Sequence, residues 1–320
     1  MVAALSFAVI LSLVLGSRTL SLGDVWAALT SPSGTDADIV VLDLRLPRTL
    51  LGLVVGGCLG VAGAVMQTLT RNPLAEPGLF GVSAGSSLAV VIGLQVAAAS
   101  SMTAQVGWAL GGALAATALV FGVTARLGAS GVSPVTLAVM GVAVSAALAA
   151  ITSAIVLLDA DTLDGYRFWA VGALSGRGSA VAAQVLPFVA AGLALAMLCA
   201  RDLDHFLLGD DLAISLGVRV TRLRLAGILA IALLTGAAVA ACGPIAFIGL
   251  LAAHAGRALV GTRHLLLLPV CAALGAAALL LADVVGRLVA GTGELQVGVV
   301  LGAVGGPLFL ATVARRRIVL

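Results

Sequence analysis

The sequence predicts an all-α polytopic membrane protein of about ten transmembrane helices, and three observations carry that expectation. The 320-residue chain is 61% hydrophobic and only 10% charged, whereas a soluble domain carries roughly 25% charged residues. Its mean hydropathy is +1.21, more apolar surface than one water-soluble core can hide. The charges fall mostly between apolar runs, and many of those runs approach the ~20 residues that a helix needs to cross ~30 Å of hydrocarbon.

With that ruler, spans fall near 2–16, 49–69, 79–98, 106–126, 134–157, 180–200, 225–242, 244–260, 265–285 and 297–314 of one transmembrane domain, 1–320. The first is apolar but short, and it lacks the basic leader and A-x-A site of a cleaved signal peptide. The second, Thr49–Leu69, is followed by a polar knot, Arg71-Asn72-Pro73-Leu74-Ala75-Glu76-Pro77-Gly78. There Pro73 and Pro77 break the helix and Gly78 is expected to assist the reversal. The fourth carries "GWALGGALAAT" (Gly107–Thr117) and the seventh "GAAVAACG" (Gly236–Gly243). Small residues of this kind let helices approach closely where lipid supplies little hydrophobic drive.

All 17 basic residues are arginine. The missing lysine excludes a P-loop, whose Lys reaches the nucleotide phosphates, and a Schiff-base mechanism. The chain is therefore expected to be no enzyme, and any nucleotide hydrolysis is expected on another polypeptide. Cys58, Cys199, Cys242 and Cys271 stand singly in apolar runs, as buried free thiols do. His205, His254 and His264 are dispersed without ligand spacing, so no metal site and no cofactor are expected. The arginines beside apolar runs speak of topology, not nucleic acid. Ten spans put both termini on one side, where eleven arginines, including the tail Arg315-Arg316-Arg317, face six on the other. The positive-inside rule then makes both termini cytoplasmic.

Three connections stand out. The external loop 17–48 contains an amphipathic "LGDVWAAL" (Leu22–Leu29). The external segment 161–178, "DTLDGYRFWAVGALSGRG", holds the only Tyr and a Trp and fits a short surface helix, serving either headgroup anchoring or partner contact. The internal segment 201–224, "RDLDHFLLGDDLAISLGVRVTRLR", spaces Leu207, Leu208, Leu212 and Leu216 along one helical face, with Asp210-Asp211 opposite and Gly217 as a stop. Its mixed charge fits protein docking better than adhesion to anionic lipid.

The stretch "RLPRTLLGLVVGGCLGVAGAVMQTLTRNPLAEPGLFGVSAGSS" (Arg45–Ser87) resembles the signature of the FecCD family, permease subunits of binding-protein-dependent ABC importers for ferric siderophores, haem and vitamin B12. "GDDLAISLGV" (Gly209–Val218), "GPIAFIGLLAAHAGR" (Gly243–Arg257), "ADVVGR" (Ala282–Arg287) and "ELQVGVVLGAVGGPLFL" (Glu294–Leu310) follow in family order. The ordered set spans most of the chain. Two departures concern local helix-end geometry: Ala253 where the family usually has Pro before its His, and Gln296 where it usually has Pro.

The resemblance implies a vitamin-B12-permease-like, type II importer fold, in the cytoplasmic membrane of a prokaryote. It implies a second permease subunit, identical or paralogous, two cytoplasmic ATPase subunits and an extracytoplasmic substrate-binding protein, with a ferric siderophore as cargo. It assigns Arg45, Arg48 and Arg287 to docking of the binding protein, and their planar forks suit carboxylates. Charge reversal at Arg45 and Arg48 is expected to weaken docking while leaving folding intact. The resemblance assigns Gly209, Asp210, Asp211, Leu212, Ser215, Leu216 and Gly217 to ATPase coupling, and Asn72, Pro73 and Leu74 to the inner mouth of the pathway. Asp283, four residues before Arg287, is placed to pair with it. Haem or vitamin B12 are alternative cargoes. A secondary transporter driven by an ion gradient is the rival of another class, with Asp283 as its proton-site candidate.

Overall fold

The computed structural model describes residues 2–96, 101–127, 134–290 and 293–314. The tail arginines, Arg315 to Arg317, lie outside the described residues. Fifteen α-helices follow one another with no strand among the described residues. They are α1 (Val2–Val14), α2 (Leu22–Thr30), α3 (Asp36–Ile39), α4 (Leu46–Thr70), α5 (Val82–Val96), α6 (Met102–Leu127), α7 (Pro134–Leu158) and α8 (Ala160–Ala170). Then come α9 (Ser179–Leu198), α10 (Ala200–Phe206), α11 (Asp210–Ser215), α12 (Val220–Cys242), α13 (Ile248–Val260), α14 (His264–Val289) and α15 (Val297–Ala314).

Six helical stretches are long and apolar enough to cross a membrane, and α1, α5, α13 and α15 are shorter apolar helices. Together they occupy the ten expected positions. The connection 17–48 is largely helical, and its amphipathic Leu22–Leu29 falls in α2. Ser21–Asp24 and Thr35–Asp38 form capping boxes that start α2 and α3. Residues Val40–Arg45 then continue as one π-helical segment into α4, making one 35-residue helix from Asp36 to Thr70. Pro47, which has no N–H to donate, comes just after that π-helical segment.

Helix α4 is the axis of the bundle and packs against α12, α13 and α14. In its most apolar window 78% of residues are buried, against 17% in α7, so α7 presents most of its surface outward. Backbone approach explains the small residues. A Cβ on Gly60 would strike the carbonyl of Cys271 in α14, and one on Gly63 would strike Gly249 in α13. Gly85 and Gly112 bring α5 and α6 together in the same way, whereas Gly107 and Gly111 of the same motif face open space. All four cysteines are buried and free.

Span eight starts later than expected, at Ile248. Gly243 (φ 78°) and the left-handed Phe247 (φ 70°) break the chain after α12, and Pro244 has no N–H to continue a helix. The aromatic segment 161–178 is helical only to Ala170, after which Gly172 and Gly176 adopt positive φ. Trp169, a candidate for headgroup or partner contact, is 2% exposed and belongs to the core. The amphipathic segment 201–224 is not one helix either. It breaks between α10 and α11 at Gly209 (φ 110°), and Arg222 and Arg224 already belong to α12.

Candidate functional site

Two clusters of charged side chains mark opposite ends of the bundle. The first gathers where α4 begins and α14 ends. Arg48 donates through Nε to both Asp283 oxygens at 3.0 Å and through Nη2 at 2.8 Å, while its Nη1 reaches Glu294 at 2.8 Å. Arg287 lies 3.2 Å from the same Asp283 carboxylate, as the four-residue spacing predicted. Its Nη1 also donates to the Ser12 carbonyl at 3.1 Å. Arg45 donates to the carbonyls of Leu13 (2.7 Å), Val14 (2.8 Å) and Arg18. The last-turn carbonyls of α1 have no intrahelical partners, and Arg45 and Arg287 supply donors to them.

The three expected docking arginines are thus brought together, but Arg45 (6% exposed) and Arg287 (5%) are buried, as is Asp283 (1%). The expectation that reversing Arg45 and Arg48 leaves folding intact does not fit this geometry. A carboxylate at position 45 would face the orphan carbonyls of α1, and one at 48 would face Asp283. Glu294 is the exposed member, with its side chain 48% accessible. Burial pushes its carboxyl up, and the charge and hydrogen bond of Arg48 outweigh that, holding it below the usual carboxylate range. Three guanidiniums against two carboxylates leave one net positive charge. A cavity of about 330 Å³ opens beside them, lined among others by Asp43, Arg48, Ser175, Arg177 and Glu294.

The second cluster joins α4 to the segment between α9 and α12. Helix α4 ends at Arg71, held left-handed at φ 47°. Its Nη2 donates to Asp210 at 2.6 Å and to the Phe206 carbonyl at 2.7 Å, and its guanidinium lies 4.2 Å over the Phe206 ring. Arg224 takes the other Asp210 oxygen at 2.7 Å. Helix α10 is fixed a second time by Asp204, which pairs with His264 Nδ1 at 2.6 Å, while His264 Nε2 meets Thr68 of α4 at 2.7 Å.

On this frame α11 presents Leu212 (56% exposed), Ile214 (59%) and Leu216 (54%) outward. Asp211, Ser215 and Gly217 are also exposed, and Gly209 is half-buried. Leu207 and Leu208 fall in the break before α11, off the helical stripe that the spacing suggested. Asp210 faces inward to its two arginines. Periodicity missed Ile214, and nothing in the sequence joined Asp210 to Arg71, 139 residues away.

Beyond Arg71, Asn72 accepts the Leu74 N–H at 2.9 Å in a side-chain turn, and Asn72 and Leu74 are exposed. The chain reverses at Gly81 (φ 77°) and not at Gly78, which has no positive φ. Ahead of both, Glu76 accepts the N–H of Phe247 at 2.5 Å, the residue that caps α13. Glu76 also lines a cavity of about 410 Å³ with Leu59, Ser83, Thr235 and Pro244 among others. Sequence reasoning assigned Glu76 no role, although a carboxylate between two spans was the available signal.

The chain as a whole is similar to known proteins. Residues 4–315 match the FecCD transport family. The chain is 46% identical over 313 residues to the ferric enterobactin transport system permease protein FepD of Escherichia coli K12, covering 98% of this chain and 93% of that protein. It is 38% identical over 300 residues to the Fe(3+)-citrate import system permease protein YfmD of Bacillus subtilis 168, covering 94% and 89%. A solved structure described as an inward-facing conformation of a transporter of metal-chelate ABC type superposes with a TM-score of 0.84 at 25% identity, covering 98% of this chain and 96% of that one. With an ordered set of motifs, ten apolar helices and matches of this length, the chain belongs to the FecCD transport family.

Proposed function

We propose that this chain is the permease subunit of an ABC importer that carries an iron–siderophore complex across the cytoplasmic membrane. The similarity to permeases named for ferric enterobactin and Fe(3+)-citrate over nearly the whole chain supports that cargo over haem or vitamin B12. Two such subunits enclose the pathway, and ATP is hydrolysed on separate ATPase subunits, because no lysine exists here to build a P-loop. The termini face the cytoplasm with the arginine-rich side.

The observation that carries the mechanism is the Arg71–Asp210–Arg224 clasp. The apolar stripe of α11 is the surface offered to an ATPase, and Asp211, Ser215, Gly209 and Gly217 frame it. Movement of α11 passes through Asp210 to Arg71, the first residue of the turn that holds Asn72, Pro73 and Leu74. The same turn ends at Glu76, hooked to the capping residue of α13. A push on α11 therefore reaches the inner mouth and a cavity wall through charge-assisted contacts.

At the other end, the net positive cluster of Arg45, Arg48 and Arg287 receives acidic residues of the binding protein. The half-exposed Arg48–Glu294 contact is the one an incoming carboxylate displaces. Asp283 is already paired with both Arg48 and Arg287, which weighs against its serving as the proton site of a gradient-driven transporter.

Reconstitution tests the reading. Vesicles containing this subunit, its ATPase and binding protein should take up radiolabelled ferric siderophore only with ATP. Uptake without the ATPase that follows a proton gradient would overturn it.

A further inference from the structure

On the flank of the bundle, α6, α9 and α12 diverge around a groove of about 480 Å³, within the size range of ordinary ligand pockets. Its wall is almost wholly apolar and includes Leu114, Phe121, Leu195, Leu225 and Leu229. Among the described residues that line it, the one charged side chain is Arg222, in the first turn of α12. The groove is built entirely from membrane-spanning helices. Leu225 and Leu229 are 46% and 49% exposed along it.

Arg222 is exposed and makes no ion pair or hydrogen bond among the described residues, in contrast to its neighbour Arg224, which holds Asp210. Helices α6 and α12 run in opposite directions along the groove, so the end of α6 lies towards the start of α12. Arg126, in the last turn of α6, is exposed at that end. An apolar slot in the hydrocarbon layer, closed at its polar end by a cation without a carboxylate, is complementary to one kind of molecule. Basic pockets between spans on the cytoplasmic side hold anionic headgroups.

We propose that this groove is a binding site for one anionic phospholipid of the leaflet on the α11 side. An acyl chain fills the slot against Phe121 and Leu225, and the headgroup phosphate lies on Arg222, with Arg126 adding to the local positive potential. The bound lipid wedges α6, α9 and α12 at the end from which the α10–α11 segment emerges. This inference needs only the membrane-spanning reading of these helices and does not depend on the cargo.

Native mass spectrometry of the whole protein, released from vesicles of equal phosphatidylglycerol and phosphatidylethanolamine, tests it. The wild type should retain phosphatidylglycerol preferentially, by roughly fivefold or more for one engaged arginine. Arg222→Ala should abolish that preference while apolar retention persists. Ala118→Trp, built on an exposed groove position, should displace both lipids. Equal retention of the two lipids by the wild type, or a preference unchanged by Arg222→Ala, would overturn the proposal. So would lipid retention unchanged by Ala118→Trp, or a second copy of the chain found seated in the groove. The wild-type comparison stands by itself if either variant fails to fold.

Discussion

The two charged clusters are built from the same kinds of side chain, arginine against carboxylate, and differ in their exposure to solvent. At the α4–α14 end, Asp283, Arg45 and Arg287 are each at most 6% exposed, and the arginines reach Asp283, Glu294, the last carbonyls of α1, the Ser12 hydroxyl and the Arg18 carbonyl. At the α11 end the clasp is wetter, with the Arg71 and Asp210 side chains 33% and 38% exposed. Desolvated ions must stay paired, whereas half-solvated ones can part and re-form at little cost. The first arrangement suits a rigid rim against which another protein docks. The second suits a joint that moves in every cycle.

That contrast can be broken most severely at Asp283. Asp283→Ala leaves Arg48 and Arg287 facing each other without their shared carboxylate. The expected loss is about 3–5 kcal/mol, as for other broken buried pairs, seen as a large fall in the thermal midpoint of the purified protein. A midpoint unchanged within error would show that the rim is not held by this carboxylate. Next in size is Leu212→Asp. A charge in the middle of the exposed stripe should weaken ATPase association at least tenfold, a hot-spot-sized effect, measured by co-purification at graded concentrations, while stability is unmoved.

The clasp itself gives a smaller effect. Arg71→Asp should leave stability within about 1 kcal/mol but lower cargo moved per ATP hydrolysed. Combining it with Asp210→Arg should recover part of that ratio. A double variant no better than the single one would show that the pair does not transmit movement.

The smallest effect belongs to Glu294. Because its folded-state pKa lies below the ordinary value near 4.5, its contribution is present above the ordinary value and is lost as pH falls through the folded value. Thermal midpoints of wild type and Glu294→Gln should therefore differ slightly at pH 7 and converge in acid. A gap that does not shrink as pH falls through the folded value would mean that the contact is not electrostatic.

Much of this was legible beforehand, and the exceptions share a cause. The ten spans follow from run length. The Asp283–Arg287 pair follows from four-residue spacing, and the outward face of Leu212 and Leu216 from helical period. In the connection 17–48 the amphipathic Leu22–Leu29 is legible as α2, whereas α3 is not, because its Thr35–Asp38 capping box sits among turn-forming residues. Gly78 was chosen for the reversal because it follows Pro77, but positive φ falls at Gly81, after one turn of 3₁₀ helix has used Pro77 as its start. No spacing in the sequence placed Arg45 against the end of α1, where its guanidinium donates to the carbonyls of Leu13, Val14 and Arg18.

Composition and periodicity alone determined that this chain crosses a lipid bilayer repeatedly, carries no phosphate-binding lysine and places charge at its span ends. These are properties of residue type and local repeat, and a bilayer demands them of any spanning helix. Only the tertiary structure decided which charges meet. Arg48 finds Asp283, and Arg71 finds Asp210, across more than a hundred residues. Pairings at that range arise from helix packing, and that packing is set by where glycines such as Gly60 and Gly63 let backbones touch.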